Sequence, residues 1–312
     1  MRHVKVIMLT GAMRPSPLQS AIGRPVASLP LGDGCALFDA WLKALKSVGH
    51  PIDLIVATNL DQEIPALREL AREAAARAPW VRSIEVVRDP RDWRGSAGVV
   101  RDLLNPRLED DDTIMVVEAG CLPPASLKQA LETRTGSTWV VVGATSGLAP
   151  AGVFACGMEA LREAPDVGYC DLKEQLIPRL IRRGVDVRAA IVAEELIRLR
   201  DLDSYLRAVS AWSRQGRVDD RREDRPWREL GACVVEDGAE IDIGVILKDT
   251  VVLRGARVGA AAVLNGCLVT GAAVVEPGER AADRILTAPS LSNGRRSRRE
   301  RPTPVSSQEL AA

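Results

Sequence analysis

The residues best suited to chemistry follow the first apolar run of the chain. Val4–Leu9 predicts a buried strand, Gly11 then allows close backbone approach, and Arg14 and Arg24 flank a stretch containing Gly and Pro. Backbone N–H groups in such a loop, with two guanidiniums nearby, suit the binding of phosphate. The pattern therefore predicts that Arg14 and Arg24 contact an anion. The alternative is that these two arginines lie on the surface without a binding role.

The elements that must position this loop alternate between strand and helix. Strands are predicted at Val4–Leu9, Ile52–Thr58, Ser83–Val87, Thr113–Val117 and Trp139–Gly143, and helices at Phe38–Ser47, Pro65–Arg77, Ala97–Leu104 and Pro124–Glu132. The same layers continue through Val153–Cys156, Leu172–Arg182, Asp186–Val192 and Asp203–Ala211. Such alternation produces a largely parallel sheet covered on both faces, so we predict a Rossmann-like α/β domain over residues 1–212.

A repeat distinguishes the region that follows. Residues 213–229 are charged and predict a linker, whereas residues 230–279 combine glycines, small residues and recurring aliphatics. The aliphatics fall into two series with a period of six: Ile241, Leu247 and Leu253, and Ile246, Val252, Val258 and Leu264. This period predicts two or three flat rungs of a left-handed β-helix, with apolar corners pointing inward. An ordinary sheet rich in Val and Gly is the alternative.

Composition limits the classes of function. The chain has 312 residues, and its 42 Lys and Arg balance its 42 Asp and Glu. This balance argues against a protein that binds nucleic acid through its overall charge. Its six cysteines form no C-x-x-C pair, which predicts reduced, buried thiols. The first apolar run is too short for a signal peptide, and no segment has the length of a membrane span. We therefore expect a cytoplasmic protein without a membrane partner.

The last part of the chain has a different composition. Residues 280–312 contain Pro, Ser and a run of arginines and cannot form a core, so we predict a disordered basic tail. Its arginines are Arg295, Arg296, Arg298, Arg299 and Arg301. They would either contact an acidic partner or RNA, or remain solvated.

The order of motifs resembles the sugar-phosphate nucleotidyltransferase family, which includes mannose-1-phosphate guanylyltransferase. That family opens with a strand, a Gly-rich turn, Arg-x-x-Pro-Leu-Thr and a Lys-Pro pair. The matching residues here are Arg14, Pro17, Leu18, Gln19, Arg24 and Pro25. Residues 34–45 are similar to the segment that leads into the family's first long helix, residues 171–180 and 203–208 to its late helices, and TVVLRGARVG to its β-helix. The resemblance covers residues 4–278.

The resemblance implies a fold and a nucleotide site. The fold would be a GT-A-like nucleotidyltransferase domain followed by a short left-handed β-helix. Residues 94–98 resemble the family's Gly-Thr-Ala-Gly turn, which lies against the nucleotide. By this resemblance the nucleotide-binding residues would be Gly11, Gly95, Ser96, Ala97 and Gly98.

Departures from the family concern its metal site. In that family, magnesium held by two aspartates supports attack of a sugar-phosphate oxygen on a nucleotide and release of pyrophosphate. Here Gly120 stands at the first aspartate position, and Ile197-Arg198-Leu199-Arg200 covers the second. Arginine offers a metal no lone pair. Glu118 lies on the same side of its strand as Gly120, so it is a candidate metal ligand, as are Asp201 and Asp203. Surface or helix-capping carboxylates are the alternative.

The sugar contacts are also altered. The stretch between Gly143 and Gly152 is too short for the segments that grip the sugar phosphate in the family, and Pro150 falls where an asparagine would lie. The Gly-rich loop is also one or two residues shorter than in the family. Metal, loop and sugar contacts thus depart together, which predicts a degenerate relative.

Three hypotheses follow. The first is a protein that binds a nucleotide or nucleotide sugar with weak or no catalysis, needs no cofactor, and assists an active nucleotidyltransferase relative. The second is an active enzyme that makes a nucleoside-diphosphate sugar with Mg²⁺ on relocated ligands. The third is an oligomerisation scaffold with a vestigial pocket. A short β-helix also favours a homo-oligomer.

Overall fold

The structure is a computed structural model that describes residues 4–11, 15–32, 34–104, 113–133, 139–216 and 225–288. Its largest element is a seven-stranded sheet. The strands of this sheet are β1 (Val4–Leu9), β4 (Ile52–Thr58), β5 (Val81–Arg88), β6 (Thr113–Glu118), β7 (Trp139–Thr145), β8 (Pro150–Gly157) and β9 (Asp186–Ala193). A separate antiparallel pair is formed by β2 (Pro30–Gly32) and β3 (Cys35–Ala36).

Helices cover the sheet. They are α1 (Pro17–Ile22), α2 (Leu37–Lys46), α3 (Ile64–Arg77), α4 (Gly95–Leu104), α5 (Lys128–Glu132), α6 (Met158–Arg162), α7 (Ile177–Arg182) and α8 (Leu202–Gln215). A π-helical turn, Leu172–Leu176, leads directly into α7. β1 illustrates why both faces need cover: Val6 and Met8 belong to one apolar cluster, whereas Ile7 between them belongs to another.

The strand order is β5-β4-β1-β6-β8-β7-β9, and six of the seven strands run in one direction. The exception is β8, which is antiparallel to both β6 and β7. The prediction of a mostly parallel α/β sheet is confirmed. The order of strands reverses between β1 and β6, so this is a switch point, where ligands of such sheets bind at the carboxyl ends of the strands.

The C-terminal region consists of short parallel strands in three stacked sheets, an arrangement compatible with a β-helix. The first sheet contains β10 (Arg228–Leu230), β13 (Ile246–Lys248), β16 (Val263–Asn265) and β19 (Arg280–Ala282). The second contains β11 (Val234–Val235), β14 (Val251–Val252), β17 (Leu268–Val269) and β20 (Ile285–Leu286). The third contains β12 (Glu240–Ile241), β15 (Arg257–Val258) and β18 (Val274–Val275).

The repeat differs from the predicted period of six. Ile246 pairs with Val263 and Val263 with Arg280, a step of 17 residues each time. The interior side chains of one turn are spaced by five and then six residues, since they are Leu247, Val252, Val258 and Leu264. Leu247 is interior, as the first series predicted, whereas Ile246 of the second series does not belong to the interior cluster. Leu253, which was also expected to point inward, packs in the core of the α/β domain instead.

Two expected boundaries also differ. Two of the three residues of β10 lie inside the segment predicted as a linker, and β19 and β20 lie inside the segment predicted as a tail. Two of the sheets thus have four strands rather than two or three. Residues 289–312, with the arginine run, lie outside the described residues.

The second of the stacked sheets packs against the α/β domain. Its outward-facing residues Val234, Val251 and Leu268 are buried in the same apolar cluster as Trp41 and Tyr205. The two regions are therefore joined by a shared core. Within the described ranges, no helix has the length and apolar character needed to cross a membrane.

Candidate active-site cleft

A cavity of about 490 Å³ opens at the switch point of the sheet. Leu9, Thr10 and Gly11 line it at the end of β1, and Glu118 and Gly120 line it at the end of β6. Cavities of this size are large enough for a small-molecule ligand. The strand order and the cavity therefore indicate the same location for a binding site.

Glu118 is held between two cations in this cavity. Its Oε1 accepts a hydrogen bond from Lys173 Nζ, and its Oε2 accepts one from the Arg198 guanidinium. Burial raises the pKa of Glu118, but the hydrogen bonds and charges of Lys173 and then Arg198 outweigh it and lower the pKa below its usual value. Glu118 is therefore ionised at neutral pH, and both of its oxygens are engaged.

The backbone fixes both cations in place. Asp171 caps the π-helical turn by accepting hydrogen bonds from the N–H groups of Lys173 at 2.8 Å and Glu174 at 3.0 Å. Arg198 lies on a segment that pairs with the chain just after β6, because Leu199 N–H donates to the Gly120 carbonyl at 2.9 Å and Leu122 N–H donates to the Ile197 carbonyl at 2.9 Å. The two cations thus reach Glu118 from independent segments.

The side chains in this cleft do not fit a magnesium ion. Mg²⁺ needs oxygen ligands, whereas both oxygens of the Glu118 carboxylate already accept hydrogen bonds, one from Lys173 and one from Arg198. The other carboxylate in the cleft, Asp171, accepts a hydrogen bond from Ser96 Oγ at 2.8 Å in addition to its two backbone bonds. In the part of the chain described, no group of three or more His, Cys, Asp or Glu side chains is placed to hold a metal.

The other proposed metal ligands lie elsewhere. Asp201 is the N-cap of α8, where it accepts a hydrogen bond from Ser204 N–H at 2.9 Å. Hydrogen bonds from Ser204 lower the pKa of Asp201. Asp203 lies in the first turn of the same helix, and neither aspartate lines the cavity. The capping interpretation therefore applies to Asp201.

The turn at residues 95–98 is only partly open to the cavity. Gly95 has φ +71°, and a Cβ built on it would lie 2.6 Å from the Cys170 carbonyl oxygen, so close packing requires glycine here. The N–H groups of Ala97 and Gly98 donate to that same carbonyl at 3.0 and 3.2 Å. Of the four residues, only Ser96 lines the cavity. The amides of Ala97 and Gly98 therefore bind the protein's own backbone, and Gly95, Ala97 and Gly98 do not line the cavity.

Arg24 is not in the cavity. Its guanidinium makes two hydrogen bonds to Glu236 of the stacked sheets, at 2.8 and 3.1 Å. The expected phosphate contact is thus replaced by an ion pair that links the α/β domain to the C-terminal region. Arg14, the other expected contact, lies outside the described residues.

Three charged residues of the cleft were not assigned from the sequence as binding groups: Lys173, Arg198 and Arg200. The sequence Asp-Leu-Lys after residue 170 and the alternating Arg-Leu-Arg at 198–200 were the available signals. Arg200 is exposed, and among the described residues no hydrogen bond or ion pair to its guanidinium is found. Cys121 also lines the cavity, but burial raises its pKa to about 12, which disfavours the thiolate form that a nucleophilic cysteine needs.

Comparison with known protein families and with curated proteins found no match to this chain. The geometry of the cleft therefore provides the argument for function.

Proposed function

We propose that this protein binds a nucleotide or nucleotide sugar in the cleft between β1 and β6 and turns it over weakly or not at all. The observation that supports this most directly is the double ion pair of Glu118 with Lys173 and Arg198. It puts positive charge where metal-dependent phosphoryl transfer needs oxygen ligands. The same charges suit the retention of a phosphorylated ligand.

The strand order is consistent with the finer fold that we propose, a GT-A-like nucleotidyltransferase domain followed by a left-handed β-helix. The first four strands of the sheet have the order of a nucleotide-binding half-sheet, with β5, β4, β1 and β6 side by side. A regulatory or assembly role beside an active relative is the biological role that this proposal implies.

The first test is thermal stabilisation by nucleoside triphosphates and nucleotide sugars, each with and without magnesium. A ligand at about 100 times its Kd should stabilise the fold by about 2.7 kcal/mol, which is readily seen as a rise in Tm. We expect stabilisation that does not need magnesium. Arg200→Gln should weaken it, whereas Arg207→Gln, an exposed arginine on α8 outside the cavity, should not.

A pyrophosphate-release assay on the same samples separates the proposal from the active-enzyme hypothesis. We expect no magnesium-dependent pyrophosphate from any triphosphate with a sugar phosphate. Sustained release that Glu118→Gln abolishes would establish the enzyme instead. No stabilisation by any nucleotide would leave the scaffold hypothesis.

A further inference from the structure

The inner half of the cavity differs from its rim in chemistry. Its floor is one row of the sheet, since Val116 pairs with Phe154 and Phe154 pairs with Val142. Residues directly opposite in neighbouring strands point to the same face, so these three side chains form a continuous apolar surface. Leu172 and Ile177 pack against the same apolar cluster and line the same cavity. These five residues define the inner half.

Charge is confined to the rim. Glu118 lies two residues beyond Val116, on the same face of β6 but at the carboxyl end of the strand, where it is less buried than Val116. Lys173 and Arg198 meet it there, and Arg200 lies beside them. Asp171 also lines the cavity, so three cations stand against two carboxylates, and the remaining positive charge favours an anionic group.

The uncharged polar side chains of the cavity are already engaged by the protein. Thr10 Oγ1 donates to the Ala57 carbonyl at 3.0 Å, and Gln19 Nε2 donates to Glu63 at 2.7 Å. Ser96 Oγ donates to Asp171. The hydroxyl groups of a sugar ring would thus meet few free partners in the inner half, and burying unpaired hydroxyls disfavours binding.

We infer that this cavity selects a ligand with a phosphate head and an apolar body, and discriminates against a polyhydroxylated body such as a sugar. The head lies at the Arg200 side of the rim, and the body lies on the Val116–Phe154–Val142 row. This inference deepens the proposed function, on which it rests for the location of the site. It narrows the two proposed ligand classes, because it disfavours a nucleotide sugar whose sugar ring would lie on the apolar row.

The test compares four ligands by calorimetry on the full chain: inorganic phosphate, butyl phosphate, hexyl phosphate and glucose 1-phosphate. Each buried CH₂ should tighten binding about fourfold, so hexyl phosphate should bind more tightly than butyl phosphate and at least about tenfold more tightly than glucose 1-phosphate. Hexanol, which lacks the head, should bind far more weakly than hexyl phosphate.

Conservative variants locate the ligand. Ile177→Val removes one CH₂ from the inner half and should weaken hexyl phosphate a few-fold while leaving inorganic phosphate unchanged. Ile191→Val makes the same change on β9, outside the cavity, and should change neither. Arg200→Gln should weaken all the phosphates that bind.

The inference is overturned if glucose 1-phosphate binds as tightly as hexyl phosphate, or if chain length has no effect. Its failure can be told apart from that of the proposed function. Nucleotides that bind while alkyl phosphates do not would retain the proposed function and remove the inference. If alkyl phosphates bind while no nucleotide does, the selection for an apolar body is retained and the proposed nucleotide function is removed.

Discussion

The carboxylate of Glu118 and its two cations determine the electrostatics of the cleft. Each partner alone would be a costly charge at a partly buried position, since the three side chains are between 28% and 36% exposed. Together they neutralise one another in part and leave a net positive rim once Arg200 is included. The ion pairs therefore fix the positions of these side chains, and the remaining positive charge attracts an anion.

Replacing Glu118 by Gln should destabilise the fold by roughly 1–3 kcal/mol at pH 7, because Lys173 and Arg198 are left facing each other. The folded-state pKa of Glu118 lies below its unfolded value, near 4.5, so the stabilisation is fully present above that value. It is lost as pH falls through the folded-state pKa. Urea unfolding at pH 7 and at pH values below 4 should thus show a gap between wild type and variant that narrows in acid.

Glu69→Gln provides the control for this experiment. Glu69 pairs with Arg72 on the exposed surface of α3, and surface pairs of this kind contribute little. An equal gap for Glu118→Gln at both pH values would contradict the assigned ion pairs.

Among the secondary-structure elements, the start of α4 is fixed by packing against the Cys170 backbone. A comparison of Gly95 with Gly184 tests this packing. Both glycines have positive φ, +71° and +76°, but only a Cβ built on Gly95 would have other atoms within 4 Å. Gly184→Ala should cost about 1 kcal/mol from backbone strain alone. Gly95→Ala should cost at least about 1 kcal/mol more, since its Cβ would meet a backbone carbonyl. Equal losses in urea unfolding would show that this contact is not tight.

Local patterns predicted elements more successfully than they predicted directions and partners. The apolar runs of β1 and β4 marked both strands at their observed ends. The direction of β8 was not foreseen, because it depends on pairing with β6 rather than on its own residues. α1 was taken for a loop although Ser16 caps it, Pro17 opens it and Gly23 ends it, all of which are helix signals. 

The site shows the same limit. Glu118 and Gly120 both line the cavity, although β6 ends at Glu118 and Gly120 lies in the turn that follows. The partners of Glu118 lie 55 and 80 residues away in the chain, and no local pattern gives such separations. For Arg24, the match to a family motif predicted a phosphate contact and gave no indication of its observed partner Glu236, which lies 212 residues away.

At the scale of the whole molecule, Arg24 and Glu236 tie the two regions together. Their side chains are 26% and 18% exposed, and the paired geometry is that of a strong ion pair. Unfolding of Arg24→Ala, Glu236→Ala and the double variant should give a coupling free energy of about 1–2 kcal/mol. Arg24→Ala should leave ligand affinity unchanged, since the guanidinium is outside the cavity. A tenfold loss of affinity would instead restore Arg24 as a phosphate contact.

The shared core between the two regions depends on side chains that face out of the stacked sheets. Val251 and Val274 both face outward from their strands, yet Val251 is fully buried against the α/β domain and Val274 is 56% exposed. Val251→Ser removes buried apolar area and leaves a hydroxyl in a core, so it should cost roughly 2–4 kcal/mol. Val274→Ser should change stability by no more than about 0.5 kcal/mol.

Calorimetric unfolding distinguishes a shared core from two regions that merely touch. With a shared core, Val251→Ser lowers the Tm of the α/β domain as well as that of the stacked sheets, because the cluster includes Trp41 and Tyr205. If the regions were independent, the variant would leave the transition of the α/β domain in place. Equal effects of Val251→Ser and Val274→Ser would likewise contradict this packing, since the two substitutions remove the same side chain and differ only in the surface that it faces.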